Sequence, residues 1–245
     1  RVEHDPARPY ILAMCGRVYV KTTLDGLLRA FSNVQRGDAD TLANVFPRWN
    51  GAPRQDYPLI IAEPDVAGFV FMRANWGFIP RWMKEPDGGR RPINAKAEGV
   101  ATNGMFKHAY SSRRALMPID GFFEWRDIHG TGKDKQPYAI AMKDGSPFAL
   151  AAIWESWRNP ATGEDLRTFA IVTCAPNPMM AEIHDRMPVI LDPADYRRWL
   201  SDEADPRDLL RPFPAERMTM WKIGRKVGKV ANNTPDILDP VDGEG

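Results

Sequence analysis

Short apolar segments joined by short turns dominate this sequence and restrict the folds that it can adopt. Six segments have the length and residue types of β-strands. They are residues 57–64, 68–76, 114–119, 137–142, 147–154 and 168–174. Most of the connections are too short for the helical crossover that joins parallel strands. The sequence therefore predicts an α+β fold with a mixed, mainly antiparallel sheet.

Helical patterns are fewer and shorter than the strand patterns. They cover residues 22–31, 104–112, 177–184 and 193–200. The last one begins with Asp192 as a cap and Pro193 in its first turn. A chain of 245 residues suffices for one large domain or two small ones. No apolar run approaches the roughly 20 residues that a membrane-spanning helix needs, so no membrane partner is predicted.

Positive charge is concentrated in one stretch, although the net charge is only +1. Residues 73–114 contain 9 Lys and Arg against 3 Asp and Glu. Phosphate groups bind such local clusters of cations, whatever the total charge of the protein. On charge alone, a solvated charged surface is the simpler interpretation.

Two tryptophans in the basic stretch favour the nucleic-acid interpretation. Trp76 and Trp82 flank a proline-stiffened turn, and Arg90, Arg91 and Lys96 follow. Aromatic rings interleaved with cations are typical of single-strand binding, because bases stack on the rings while the cations contact phosphates. Either tryptophan could equally belong to the core.

The two cysteines, Cys15 and Cys174, do not suggest a disulfide framework, so a reducing compartment such as the bacterial cytoplasm is expected. Taken alone, Cys15 is more often a small buried residue than a nucleophile. Cys174, in the apolar segment TFAIVTC, is predicted to be a buried structural thiol. Neither zinc-ligand spacing nor a GxxxxGK phosphate loop is present, and the sequence predicts no metal and no other cofactor.

Glu124 and His184 are the candidate proton-transfer groups. Glu124 lies between Phe123 and Trp125. A carboxylate that such aromatic neighbours desolvate has a raised pKa and suits general acid or base catalysis. Strand alternation also allows Glu124 to face solvent. His184 precedes a Pro-initiated apolar segment, where proton transfer and a structural hydrogen bond are both open alternatives.

Together these segments resemble, in the same order, the SRAP family of SOS-response-associated peptidases, also described as abasic-site processing proteins. The motifs are MCGRV, RWNGAP, WGFIPRW, INAKAEG, RRALMPIDGFFEW, KQPYAI, AAIWESW, TFAIVTCAPN and IHDRMPVIL, with GRKVGKVANN in weaker form. The resemblance covers nearly everything from Met14 to about residue 238. It implies a single domain over residues 14–238, with a barrel-like core, peripheral helices and a loose tail at 239–245.

The resemblance also implies the chemistry. Met14 would be removed, so that Cys15 becomes the first residue and residues 1–13 do not belong to the mature protein. The α-amine of Cys15, with an ordinary pKa of about 7.7–8.0, would attack the aldehyde of a ring-opened abasic site. Its thiol would then close a thiazolidine, which gives a covalent crosslink to single-stranded DNA by an enzyme that acts as a monomer.

The remaining site residues follow from the same resemblance. Asn94 would position the sugar or the terminal Cys15, while Glu124 and His184 would transfer protons. The expected DNA-binding residues, including five from the basic stretch, are Arg17, Arg48, Asn50, Trp76, Arg81, Trp82, Lys96 and Arg114. Lys96, Gly99 and Gly104 depart from the family pattern, which bears on DNA affinity more than on the chemistry.

Two rival functions remain open at this point. A cysteine peptidase would use Cys15 as nucleophile and His184 as base, and would tolerate residues before Cys15. A non-catalytic single-strand binder would need the basic stretch and the tryptophans but not Cys15. A heat-stable crosslink to an abasic strand distinguishes both rivals from the SRAP chemistry.

Overall fold

The computed structural model describes residues 16–63, 66–84 and 91–241. Its strands are β1 Val18–Val20, β2 Val34–Gln35, β3 Arg48–Gly51, β4 Asp56–Ala62, β5 Phe69–Trp76, β6 Asn94–Lys96, β7 Arg114–Ile119, β8 Gly121–Asp127, β9 Lys135–Met142, β10 Phe148–Arg158, β11 Asp165–Cys174, β12 Met187–Pro188, β13 Ile190–Leu191 and β14 Met218–Lys222. All six predicted strands are present, with ends shifted by a few residues. The predicted α+β class with mainly antiparallel pairing is confirmed.

The larger sheet closes on itself. Its order is β12-β11-β10-β7-β4-β5-β2, and β11 also pairs in parallel with β5, opposite Phe169 and Trp76. The strands β11, β10, β7, β4 and β5 thus form a ring, which agrees with the expected barrel-like core. β6 and β13 are attached to this ring through β11 and β10.

A second sheet of five strands, in the order β14-β9-β8-β1-β3, leaves the ring at Asp120. This residue lies between β7 of the ring and β8 of the second sheet. Its carboxylate accepts hydrogen bonds from the Thr22 amide at 2.9 Å and the Thr22 hydroxyl at 2.7 Å. Because these bonds tie the corner to the segment after β1, the direction of β8 is set where it enters the second sheet.

Apolar side chains pack on both faces of the second sheet. One face, with Phe122 and Ile140, belongs to the main core that it shares with the ring. The other face carries Tyr19 and Phe123, which pack against the C-terminal residues Val227 and Ile237 in a smaller cluster. The C-terminal segment is therefore part of the folded domain.

The helices are short and peripheral. They are α1 Leu24–Ala30, α2 Lys107–Ser112, α3 Pro178–Ala181 and α4 Tyr196–Trp199, and the other helical segments are 3₁₀, the longest being Gly37–Val45. Asp192 caps its segment as predicted, through the Ala194 amide, but a 3₁₀ turn precedes α4 there. No helix within the described ranges is long and apolar enough to span a membrane.

The described part of the predicted tail is attached to the fold. Pro240 forms a β-bridge with Ile223, and the Val241 amide donates to the Lys222 carbonyl at 3.1 Å. The predicted N-terminal extension at residues 1–13 and the last part of the predicted tail, residues 242–245, lie outside the described residues.

Candidate active site and nucleic-acid surface

Glu124 lies on β8 beside the start of the described chain. β1 and β8 are antiparallel with Val18 opposite Phe122, and the same register places Glu124 across from Gly16. Glu124 shares its strand face with Phe122 of the main core and is only 4% exposed. Its carboxylate is therefore buried rather than directed to solvent. Gly16 follows Cys15 in the sequence, and Cys15 itself lies outside the described residues.

The C-terminal end of β11 brings a second group of site residues together. Thr173 pairs in parallel with Lys96 of β6 on one side and antiparallel with Pro188 of β12 on the other. Asn94 and Lys96 are two residues apart on β6 and share one face, while Ala95 between them is buried. The segment that carries His184 leads directly into β12, so Asn94, Lys96 and His184 belong to neighbouring segments.

His184 follows α3 and has hydrogen-bond partners for two protonation states. Its Nδ1 accepts the Arg186 backbone amide at 3.1 Å, which places the proton of a neutral imidazole on Nε2. The Asp185 carboxylate is 2.9 Å from the same Nδ1, and Asp185 is exposed. An imidazolium can donate to that carboxylate instead. A side chain that is stabilised in both states suits proton transfer.

Arg186 and Glu98 tie the His184 segment to β6. The Arg186 guanidinium donates to both oxygens of the Glu98 carboxylate and, at 2.7 Å, to the Thr173 carbonyl. This ion pair lowers the pKa of Glu98 and raises the pKa of Arg186. The pairing of Arg186 with Glu98 was not predicted, although their opposite charges within the motifs IHDRMP and INAKAEG were an available signal.

The described segment that ends at Lys84 presents an exposed tryptophan. Trp82 is 60% exposed, and the neighbouring Arg81 is also exposed and lies 3.4 Å from the Glu155 carboxylate. The Trp157 indole donates to the Met83 carbonyl at 2.6 Å, which fixes the backbone beside Trp82. An exposed aromatic ring on a fixed backbone, next to a cation, has the features of a base-stacking platform.

Trp76 is a core residue and does not offer its ring to a base. Its side chain is fully buried where β5 meets β11, with its ring centroid 6.1 Å from that of Phe169. Its indole N–H donates to the Ile93 carbonyl at 2.9 Å. The ring closure, which no local pattern shows, explains this difference from the sequence-based expectation.

Arg114 is also buried and is occupied by backbone groups. It donates to the carbonyls of Trp199, Tyr110 and Glu203 at 2.6 to 2.7 Å, and also to that of Ser201. Burial lowers its pKa. Because these carbonyls use its donors, Arg114 has a structural role in this conformation, in contrast to the phosphate contact expected from the resemblance.

Other cations of the basic stretch have partners within the fold. Arg73 pairs with Asp56, and Arg113 pairs with the buried Glu155. Arg91 donates to Asn75 at 2.7 Å. The cations of the stretch that stay exposed among the described residues are Arg73, Arg81, Lys84, Lys96 and Lys107. The excess positive charge seen in the sequence is therefore only partly available to a polyanion.

Arg17 and Asn50 bind the C-terminal segment. Arg17 donates to the Asn50 side-chain oxygen and to the carbonyls of Val227 and, at 3.4 Å, Gly228. The Asn50 amide donates to three carbonyls at 2.8 to 3.1 Å, those of Val227, Lys229 and Asn232. Asn50 is 1% exposed, so it has a structural contact where a direct DNA contact was expected.

Arg48 is half-buried on β3. Its guanidinium lies over the Tyr57 ring, 4.8 Å from the centroid, and donates to the Asp56 carbonyl at 2.8 Å.

Gly99 and Gly104, which depart from the family pattern, have open space around the position of a Cβ atom. Within residues 16–63, 66–84 and 91–241, no group of three or more His, Cys, Asp or Glu side chains is arranged to hold a metal ion.

Cys174 lies in the core at the end of β11, as predicted. It is 3% exposed, and burial raises the pKa of its thiol to about 12. Because the thiolate is the reactive form, we expect alkylation of Cys174 in the native protein to stay slow between pH 7 and pH 9. Peptide mapping after iodoacetamide treatment measures this, with denatured protein as the fast-reacting control. Rapid labelling of native Cys174 would contradict its assignment as a structural thiol.

A family model and several known proteins are similar to this chain. The model of the family SOS response associated peptidase (SRAP) matches residues 14–230. The abasic site processing protein YoqW of Bacillus subtilis is 33% identical over 92% of this chain and 99% of its own length. YedK of Escherichia coli, of the same description, is 31% identical over 93% of this chain and 100% of its own. The abasic site processing protein HMCES of Xenopus tropicalis is 26% identical over 92% of this chain and 78% of its own length.

Solved structures show the same fold. A protein from Bacteroides thetaiotaomicron, 25% identical, superposes with a TM-score of 0.83 over 93% of this chain and 100% of that one. A protein from Bordetella bronchiseptica, 22% identical, superposes with a TM-score of 0.69 over 86% and 100%. The ring and the attached second sheet are thus a recurring architecture.

Proposed function

Because the chain belongs to the SRAP family, we propose that it processes abasic sites in single-stranded DNA by forming a covalent thiazolidine with the ring-opened sugar. Relatives named abasic site processing proteins align with more than nine-tenths of the chain. The observation that carries the proposal is the buried carboxylate of Glu124, which lies across from Gly16, the residue after Cys15.

The proposed reaction joins Cys15 to the aldehyde carbon in two steps. The neutral α-amine adds to the aldehyde, and loss of water gives an imine. The thiol sulfur then adds to the imine carbon while the nitrogen takes up a proton, which closes a five-membered ring. One C–N and one C–S bond form, and one water molecule leaves. An α-amine with a pKa of about 7.7–8.0 is partly neutral at physiological pH, as the first step requires.

Each proposed catalytic side chain has a role that fits its position. Glu124 transfers protons during opening of the sugar ring and loss of water, because its carboxylate lies on β8 across from Gly16, the residue after Cys15. His184 assists formation and hydrolysis of the imine, and it has partners for both of its charge states. Asn94 positions the sugar from β6.

We assign the strand contacts to exposed side chains. Trp82 stacks on a base, Arg81 and Lys96 contact phosphates, and the half-buried Arg48 contributes a further contact. Trp76 and Arg114 support this surface from within the fold.

The direct test is incubation of protein that begins at Cys15 with a single strand containing one abasic site. The expected product is a heat-stable adduct whose mass is the sum of protein and DNA less one water. A strand whose abasic sugar has been reduced with borohydride lacks the aldehyde and serves as the control. Binding of the abasic strand without any adduct would overturn the proposal and favour a non-catalytic binder.

Trp82→Ala is expected to weaken binding of an undamaged single strand. Loss of one stacked base costs about 1–3 kcal/mol, or roughly 5- to 150-fold in affinity. Trp82→Phe should retain part of the affinity. Fluorescence anisotropy measures the effect, with Ile128→Ala, which removes another exposed apolar side chain, as the matched control. Equal affinities of Trp82→Ala and Ile128→Ala would exclude the stacking role.

A further inference from the structure

A loop near the C terminus of the described chain makes an unusual set of contacts with β1 and β3. We define residues 227–233 as the clamped loop. Its carbonyls at positions 227, 228, 229 and 232 accept hydrogen bonds from the side chains of Arg17 and Asn50. The Asn233 side-chain oxygen in turn accepts the amides of Trp49 and Asn50, at 2.7 and 2.9 Å. These bonds fix the loop against the edge of the second sheet.

The clamp uses carbonyl acceptors of this loop and leaves three of its backbone donors without a hydrogen-bond acceptor in the described part of the chain. The backbone N–H groups of Val230, Ala231 and Asn233 donate to no other group within the described part of the chain. All three residues are exposed. Backbone N–H groups that are held together in an exposed turn form a binding place for anions.

Lys229 adds an uncompensated charge at the same place. Lys226 pairs with Asp236, and Arg225 pairs with Asp134 at 2.7 Å. Lys229 is exposed and forms no ion pair within the described ranges. Val230 beside it is 40% exposed, and its apolar side chain can cover a sugar or a base. The exposed surface thus combines amide donors, one free cation and one apolar side chain.

The loop lies near the N-terminal end of β1, on the face of the second sheet opposite to Glu124. Arg17 is two residues from Cys15 in the chain. Its guanidinium donates directly to the backbone of the loop, at the Val227 carbonyl. A strand attached to Cys15 through its abasic sugar would have its flanking phosphates close to this loop.

We propose that the clamped loop is a phosphate-binding element for DNA flanking the abasic site, with Lys229 and the backbone amides of Val230, Ala231 and Asn233 as contacts. Arg17 and Asn50 are then positioning residues that act on the DNA through the loop. The identity of the ligand as a DNA strand rests on the proposed function. Residues of the loop, and not Arg17 or Asn50, touch the phosphate.

Lys229→Ala tests the contact without disturbing the fold, because the side chain is exposed. We expect about 3- to 10-fold weaker binding of an undamaged single strand at low salt. The slope of log affinity against log salt should also fall by roughly 0.7, the value of one lost phosphate contact on a single strand. The control is Lys143→Ala, an exposed lysine at the opposite end of the β9–β14 ladder. The proposal is overturned if both variants bind with the same affinity and slope.

A double-mutant cycle tests whether Arg17 acts through the loop. If it does, Arg17→Ala with Lys229→Ala binds no more weakly than Arg17→Ala alone. If the double variant instead loses affinity by the product of the two single fold-losses, Arg17 touches the strand itself and its positioning role is overturned. Circular dichroism shows whether Arg17→Ala is folded. If it is unfolded, the proposal is still tested by the comparison of Lys229→Ala with Lys143→Ala.

The proposed crosslinking reaction is tested separately on the same samples. Binding that depends on Lys229, without an adduct on the abasic strand, would refute the crosslinking reaction and leave the loop assignment intact.

Discussion

Cys15→Ala is expected to abolish the heat-stable adduct with an abasic single strand, whereas Cys174→Ala should form it at the rate of the unchanged protein. Without the Cys15 thiol, the amine can form only an imine, which hydrolyses on heating. Cys174 is buried with a raised pKa and takes no part in the reaction. Denaturing gel electrophoresis after heating, with intact mass spectrometry of the band, measures the effect. A full yield of adduct from Cys15→Ala would refute the thiazolidine mechanism.

The position of Cys15 at the N terminus can be tested with the same assay. A chain that retains residues 1–14 has a peptide bond where the reaction needs an amine, so it should give no adduct. A cysteine peptidase would stay active in that form, because it needs only a thiolate and a base. Adduct formation by the extended chain, with residues 1–14 still attached in its mass spectrum, would contradict the mechanism.

Glu124→Gln is expected to slow adduct formation by about 10²- to 10⁴-fold, the usual contribution of a general acid or base. Glutamine keeps the size and hydrogen-bonding capacity of the side chain but cannot exchange a proton. The affinity for an undamaged strand should change little, because Glu124 is buried on β8 and is not assigned to the DNA surface. Single-turnover gel assays give the rate, and anisotropy gives the affinity.

Glu216→Gln is the matched control, since Glu216 is an exposed carboxylate outside the proposed site. It should react like the unchanged protein. If Glu124→Gln also does so, the acid/base role is excluded. If Glu124→Gln instead loses adduct and strand binding in proportion, Glu124 acts in binding rather than in proton transfer.

Residues with strong local patterns were predicted well. β7 begins and ends at the predicted residues, Asp192 caps its segment through the Ala194 amide, and Cys174 is buried. β1, β3 and β6 were not predicted, because strands of three or four residues carry too little alternation to be recognised. These short strands hold Arg48, Asn50 and Asn94, so the sequence could name the site residues without placing them.

Local sequence could not predict the burial or the partners of four side chains, those of Trp82, Trp76, Arg17 and Asn50. Both tryptophans stand in the same aromatic and basic motif, yet Trp82 is exposed while closure of the ring between β5 and β11 buries Trp76. Arg17 and Asn50 have the chemistry of phosphate ligands, but they bind a segment about 180 to 210 residues further along the chain.

By itself, the sequence determined the α+β class, most of the strands, the family and the identity of the candidate chemical groups, because these depend on residue type and short-range order. Only the tertiary structure decided which of those groups face solvent, which one faces Gly16, and which ones support the fold instead. Burial and hydrogen-bond partners come from contacts between distant segments, and no local pattern encodes them. The run around Cys15 names the proposed nucleophile, while the paired strands β1 and β8 place a carboxylate across from Gly16, the next residue in the chain.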